Sequence, residues 1–254
     1  SKISVVGMGM AVQSGVSNRM FRCLADQHVN IFMISTSQIK ISALVAREQA
    51  ELAIHTVHTK FELKQASRPN SQAESPAITP IADSAEAANR LHDMEELSIT
   101  DIGLDESQAS LSIKGIPDTP GVAATIFDAT AAAGIIVDMI IQSYLDQDNI
   151  ASISLTVPRR DVEKTVTVLQ QLAGDFQGEQ EIVSNPAIAI VSVSGIGMRS
   201  HTGVALRMFK ALSDAKINIE MMNTSEMRVS IVVDSEHAQQ AELVLTQVFA
   251  DVHH

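Results

Sequence analysis

Residues 109–134 read ASLSIKGIPDTPGVAATIFDATAAAG, and their hydrophobic period changes once along the stretch. Up to Lys114 apolar and polar residues alternate, which is typical of a strand with one buried face. The DTPG turn at residues 118–121 then supplies a capping residue and a proline where a helix can begin. Apolar residues follow at helical spacing until Gly134, a residue type that ends helices. The stretch therefore predicts a strand, a tight turn and a helix.

The segments that follow complete one folding unit. Residues 135–143 predict a strand, residues 146–149 a hairpin turn, and the alternation of Ile153, Leu155 and Val157 a further strand. A helix over residues 161–172 and a strand near residues 179–184 come next. The order strand, helix, strand, strand, helix, strand is that of the ferredoxin-like unit, an antiparallel sheet with both helices on one face. The predicted fold class is therefore α+β.

The chain repeats this unit. Residues 3–45 align without a gap on residues 191–233, and 19 of the 43 positions are identical. A more divergent copy lies between them, because Gly121 and Phe127 recur 82 residues later as Gly203 and Phe209. The spacing between the first and the second copy is 106 residues. Duplication of this extent indicates three βαββαβ units.

The repeat spacing also defines the domain boundaries that we predict. The first unit covers residues 1–65, the second residues 99–184 and the third residues 185–252. Residues 66–98, which begin with a polar stretch rich in serine and proline, are interpreted as a linker with a short helix at residues 84–92. Each unit leaves one sheet face uncovered, so the units are expected to pair.

Composition excludes several classes of protein. The 254 residues are 45% hydrophobic but only 3% aromatic, so aliphatic side chains must build the cores. A formal net charge of −12 argues against a nucleic-acid partner. Cys23 is the only cysteine, so the chain contains no internal disulfide. No apolar run is long enough to span a membrane and no secretory signal begins the sequence, which predicts a cytoplasmic protein without a membrane partner.

Four stretches carry a family resemblance: GIPDTPGVA at residues 115–123, VDMIIQS at 137–143, GIGMRSHTGVA at 195–205 and INIEMMNTSE at 217–226. They resemble the regulatory ACT domains of aspartate kinase (aspartokinase). The first unit resembles the C-terminal ACT unit of that family once more. The resemblance implies three ferredoxin-like ACT units, the last three of a four-ACT regulatory region, without the catalytic kinase domain.

The function that the resemblance implies is feedback inhibition. Lysine, threonine or both would bind at ACT–ACT interfaces and inhibit the ATP-dependent phosphorylation of L-aspartate. The implied partners are the kinase domain and an upstream ACT unit of the same protein, with a homodimer formed through ACT units. ATP and Mg²⁺ are expected only for the kinase domain, so no cofactor is expected in this chain.

An amino-acid effector needs groups for its carboxylate and its ammonium. Helix N-termini attract carboxylates, and Gly15, Gly121 and Gly203 each stand where a helix begins, although a tight turn alone also explains a glycine there. Asp138 could receive the ammonium group, although an Asp at this position is more often simply exposed to solvent at the end of a strand. The resemblance implies an effector pocket formed by Asp118, Thr119, Gly121, Val122, Ala123, Val137, Asp138, Gln142 and Ser143, with its other wall from the partner ACT unit near Asn218, Ile219 and Ser225. A possible second site contains Asn30, Ile31 and Ser37.

Two departures from the family pattern affect this site. The first unit has Phe32 where the others carry Asp138 and Glu220, so an acidic anchor is not expected there. Ser143 stands where the family commonly has Asn, and Asn223 stands where it commonly has Ser. The identity of the effector therefore stays open.

Other functions have weaker support in the sequence. An assembly module with a degenerate effector site is the main alternative, because the uncovered sheet faces must be paired. An enzyme in its own right has little support, since no nucleophile and base are arranged together. The two Gly-x-Gly motifs, at residues 7–9 and 195–197, lack the third glycine of a dinucleotide-binding fingerprint. His55 and His58 lack a third metal ligand nearby, and Cys23 is interpreted as a core residue.

Overall fold

The structure is a computed structural model that describes residues 1–7, 15–37, 39–63, 97–145, 149–198, 203–225 and 227–252. Most of the predicted linker, its short helix at residues 84–92 and most of the predicted hairpin turn lie outside the described residues. The predicted α+β class of three ferredoxin-like units is confirmed within the described part of the chain.

The strands and helices follow one another in the predicted order, apart from one additional strand at Ser98–Asp105 that was not predicted. The first unit contains β1 (Lys2–Val6), α1 (Val16–Asp26), β2 (Met33–Ser37), β3 (Lys40–Leu44) and α2 (Ala50–Lys60). The middle of the chain contains β4 (Ser98–Asp105), β5 (Gln108–Pro117), α3 (Val122–Ala132), β6 (Ile140–Leu145), β7 (Ile150–Pro158), α4 (Val162–Ala173) and β8 (Glu181–Asn185). The third unit contains β9 (Ile188–Ile196), α5 (Gly203–Asp214), β10 (Met221–Thr224), β11 (Arg228–Asp234) and α6 (Ala238–Val248). Single 3-10 turns at Arg47–Gln49, Arg159–Asp161 and Ser235–His237 lead into α2, α4 and α6.

The strand predicted for residues 135–143 begins later, at Ile140. The backbone N–H of Ile135 donates to Thr130 O at 3.0 Å, so this residue still closes the preceding helix. The N–H of Asp138 donates to Thr156 O at 3.1 Å, which brings the chain alongside β7 before regular pairing starts. The residues between α3 and β6 therefore form an irregular segment that leads into β6.

The first two units share one continuous sheet. Its strand order is β1-β3-β2-β6-β7-β5-β8, and all its pairs are antiparallel. The junction between the units is the pair β2–β6, where Ser35 lies opposite Ile141. Two edge strands from different units thus satisfy each other's backbone groups.

The third unit forms a second sheet with a strand taken from the middle of the chain. The order is β10-β11-β9-β4, so β4 occupies the position next to β9 that β8 occupies next to β5 in the other sheet. The sequence boundary assigned β4, apart from its first residue, to the second unit, whereas the backbone pairing places the strand in the sheet of the third. The strand was not predicted, because Ile99, Ile102 and Leu104 do not alternate regularly, and this spacing also carries no information about its partner.

Three apolar clusters hold these layers together. One lies between the shared sheet and α1, α2, α3 and α4, and it includes Phe21 and Phe127, whose ring centroids are 5.1 Å apart. A second lies between the other sheet and its helices and includes Phe249. A third, with Met139 and Ile190 among its members, lies between the two sheet faces that no helix covers. The faces left open by the helices are therefore packed against each other.

Candidate functional site

A narrow pocket lies where the first and second units meet. The second unit contributes the turn at residues 117–124 together with Gln142, and the first contributes Asn30 and Ile31. The predicted effector residues Asp118, Thr119, Gly121, Val122, Ala123 and Gln142 are thus brought together with part of the predicted second site. The wall opposite the turn comes from the first unit, whereas the prediction took it from the third.

The N-terminus of α3 opens onto this pocket. Gly121 precedes the helix with φ 102° and ψ −23°, a left-handed conformation that favours glycine. No side chain caps the helix at this residue. The backbone N–H groups of a first helical turn have no partners within the helix, so they attract a negative group. This end of the pocket is suited to a carboxylate.

Gln142 supplies an acceptor in the same pocket. Its side chain is only 7% exposed, and its Nε2 donates to Ile31 O at 2.8 Å across the junction between the units. Its Oε1 is buried and accepts no hydrogen bond from any described group. A buried acceptor without a donor is unfavourable by about 1–3 kcal/mol. A ligand that brings an N–H or O–H group to Oε1 removes this cost.

Asp118 completes the polar wall. Burial raises the pKa of its carboxyl group, and a hydrogen bond from the Asn30 side chain opposes the shift. The backbone N–H of Asp118 donates to Asn149 O at 2.7 Å, which fixes the turn against the start of β7. Asp118 and Asn30 belong to different units, so this contact also connects the two walls of the pocket.

The pocket is nearly closed. Its free volume is about 10 Å³, close to the space that one water molecule needs. Pockets that hold small molecules are larger, roughly 300–1,000 Å³. The two walls must therefore move apart for anything larger than water to enter.

The remaining predicted site residues lie elsewhere. Val137 packs against the core of the shared sheet, and Ile219 packs against the core of the third unit. Ser143 and Asn218 are exposed. The backbone of Ser37 ends β2 opposite Lys40, and its side chain lies outside the described part of the chain. Asp138 and Ser225 line a different cavity.

That second cavity lies between the two sheets and measures about 570 Å³. Its walls are polar and apolar in nearly equal parts and carry charges of both signs, including Asp105, Asp138 and Arg228. Asp138 is exposed toward this cavity, although the two sheets surround it. Burial raises the pKa of Asp138, the carboxylate of Asp105 raises it further, and Arg228 opposes both effects.

Two contacts between α1 and α3 were not identified from the sequence. Arg22 forms an ion pair with Asp128 across the interface between the units, beside the rings of Phe21 and Phe127, which are tilted by 47° to each other. Arg22 and Asp128 are equivalent residues of the first and second copies, 106 positions apart, as are the two phenylalanines. Opposite charges at equivalent repeat positions were the signal that could have revealed this pairing.

The weaker motifs gain no support from their surroundings. His55 is exposed on α2, and no group of histidine, cysteine and acidic side chains suited to a metal ion occurs among the described residues. Cys23 is buried, its Sγ donates to Met20 O at 3.1 Å, and burial raises the pKa of the thiol. The interpretation of Cys23 as a core residue is confirmed. None of the described helices is long and apolar enough to cross a membrane.

The repeated unit defines the class of protein. The sequence profile of the ACT domain family matches residues 3–61, 110–172 and 191–249. The chain therefore belongs to the ACT domain family. The three matched ranges correspond to the three units that the internal repeat predicts, and the second begins after β4.

The relatives are aspartokinases. The chain is 42% identical over 156 residues to an aspartate kinase of Stutzerimonas stutzeri, a match that covers 61% of this chain and 37% of the relative. The aspartate kinase of Synechocystis matches 98% of this chain and 39% of its own, with 35% identity and a TM-score of 0.80. The ligand-free regulatory subunit of aspartate kinase from Thermus thermophilus matches 60% of this chain and 99% of its own, with 35% identity and a TM-score of 0.56. The chain is thus similar to the regulatory part of aspartokinases.

Proposed function

We propose that this chain is the allosteric regulatory part of an aspartokinase and that an end-product amino acid, lysine or threonine or both, binds between its first and second ACT units. The similarity to aspartokinases, one of them a regulatory subunit, supports the enzyme class. The parent protein would phosphorylate L-aspartate with ATP and Mg²⁺ in a kinase domain.

The observation that carries the proposal is the buried, unpaired Oε1 of Gln142 in the pocket at the N-terminus of α3. The helix terminus offers N–H groups for a carboxylate, and Gln142 Oε1 offers an acceptor for an ammonium or a hydroxyl group. Asp118 adds a carboxyl group to the lining of the same pocket, which would attract the ammonium group. These are the complementary groups that a free amino acid requires.

Ligand entry is coupled to movement of the units. A pocket with about 10 Å³ of free space must widen to hold an amino acid. Widening separates Asn30 and Ile31 from the turn at residues 117–124, and so strains the β2–β6 junction. The effector therefore favours one relative orientation of the units, which is the differential affinity that allosteric control requires.

The reorientation must reach partners to inhibit catalysis. We infer that the kinase domain and an upstream ACT unit of the same protein are these partners, and that ACT units also join two copies into a homodimer. The continuous sheet across the β2–β6 junction is an example of ACT units pairing side by side. An assembly module without an effector is the alternative, and the nearly closed pocket is the observation that favours it.

Titration calorimetry distinguishes the effector-binding function from the assembly function. The folded chain is titrated with each of the twenty amino acids, and we expect saturable heat with lysine or threonine. Gln142→Leu should weaken binding about tenfold or more, because the acceptor is lost. Gln108→Leu is a matched control, since Gln108 Oε1 is also buried without a partner but does not line the pocket. Absence of heat for every amino acid, in a sample shown to be folded, would leave only the assembly function.

A further inference from the structure

The first and second units bury a common surface against each other. Ile34 on β2 and Ile140 on β6 are equivalent residues of the two copies, and each is 2% exposed at the junction. Phe21 and Phe127 are likewise equivalent and are 0% and 3% exposed. The two units are thus joined by matching residues around a pseudo-twofold axis.

The third unit exposes the same surface. Met222, the equivalent of Ile34 and Ile140, is 41% exposed, and Phe209 is only half-buried. Leu206 is 68% exposed, whereas its equivalent Ala124 is 1% exposed in the second unit. In the described part of the chain, β10 pairs only with β11 and ends its sheet. An apolar face with an open strand edge, whose counterparts are buried, is a pairing surface.

Charge distinguishes the three copies of this surface. Arg22 of the first unit faces Asp128 of the second, and the two form an ion pair. Because equivalent residues meet across the pseudo-twofold axis, a pair of first units would place two arginines together, and a pair of second units two aspartates. The ion pair therefore favours the mixed combination over either self-pairing.

Lys210 is the equivalent residue in the third unit, 188 positions after Arg22, and it is exposed. We propose that the exposed surface of α5 and β10 binds a further ACT unit that carries an acidic residue at the position of Asp128, and that Lys210 selects this partner. A second copy of the third unit is disfavoured, since it would bring two lysines together. The first unit is disfavoured for the same reason through Arg22.

This inference extends the partners named under the proposed function to the residue that recognises them. It does not depend on effector binding, because the surface contains apolar and charged groups of the ligand-free chain. The experiment below is done without amino acids, so its failure leaves the effector proposal standing.

The test reverses the charge on the third unit. Sedimentation equilibrium is measured for the full chain, for Lys210→Asp and for an equimolar mixture of the two. Only the mixture places Lys210 opposite an aspartate, as Arg22 faces Asp128. We expect its dissociation constant to be about tenfold lower than that of either protein alone, because an attractive pair replaces a repulsive one. Association through other surfaces is common to all three samples.

Two controls test whether the tighter association of the mixture arises at the surface of α5 and β10. Lys164→Asp makes the same charge change on the exposed face of α4, and its mixture with the unchanged chain should associate no more tightly than the unchanged chain does alone. Adding Leu206→Asp to both members of the Lys210 mixture should abolish the gain. Equal dissociation constants in the three samples, no association in any of them, or an equal gain with Lys164→Asp would overturn the proposal.

Discussion

Gln142 and Asp138 are four residues apart in the sequence, and they lie on opposite sides of the shared sheet. Gln142 points toward the helices and lines the pocket between the first two units, while Asp138 faces the cavity between the sheets. Both were predicted as effector residues because the family resemblance does not separate them. Only the structure of the irregular segment that leads into β6 shows that the two residues belong to different cavities.

The raised pKa of Asp138 leads to a prediction about pH. A carboxyl group whose pKa is raised on folding favours the folded state while it is protonated, and this contribution is lost as the pH rises through the raised pKa. Asp138→Asn removes a negative charge that the partial desolvation between the sheets and the nearby Asp105 carboxylate disfavour. The variant should therefore unfold at a higher temperature than the unchanged chain near pH 7, and the difference should disappear below the ordinary aspartate value of 3.8.

Thermal unfolding between pH 7 and pH 3.5 checks this prediction. Glu51→Gln on the exposed face of α2 is the control for loss of one surface charge. A stabilisation by Asp138→Asn that does not change with pH would show that the carboxylate is not the cause. Destabilisation at pH 7 would mean that the attraction to Arg228 outweighs burial.

At the scale of elements, the exchange of β4 ties the middle of the chain to the third unit. Gly195 on β9 allows this pairing, since a Cβ atom there would lie 2.2 Å from the backbone O of Ser98. The repeat predicted that Gly195 and Gly7 are equivalent, but not why the position is a glycine. Close approach of two backbones, not a turn, is the reason in the third unit.

Gly195→Ala should therefore destabilise the chain by about 1–3 kcal/mol, because the clash is with backbone and cannot be relieved by a side-chain movement. Gly203→Ala is the matched control. A Cβ at Gly203 meets nothing within 4 Å, so alanine there should be neutral or should stabilise α5 by up to about 1 kcal/mol. Urea unfolding of both variants measures the two values. Equal stability of the two variants would contradict the role of Gly195.

The sequence was informative about elements for a physical reason. The turn at residues 118–121 predicted the start of α3, and Gly121 has the left-handed backbone that its position requires. Local patterns of this kind depend on neighbours in sequence. The strand β4 was not predicted, and its partner depends on residues far away in the sequence, which no local pattern identifies. That part of the fold could not be predicted from the pattern.

At the scale of the whole molecule, the arrangement of units decides where the proposed effector site lies. The prediction placed Asn218, Ile219 and Ser225 opposite the turn of the second unit, whereas Asn30 and Ile31 of the first unit occupy that place. Internal repeats show that units resemble each other but not which units pair. The charges of Arg22 and Asp128 distinguish the pairs, and they acquire this meaning only once the two helices are known to meet.

The central claim is that an amino acid binds between the first and second units. The most direct measurement is a crystal structure of the chain at saturating concentration of the amino acid that calorimetry identifies. We predict density for the ligand with its carboxylate at the N-terminus of α3, a donor on Gln142 Oε1, and a pocket wider than the present 10 Å³. Density in the 570 Å³ cavity beside Asp138, with the pocket between the units still closed, would contradict the account.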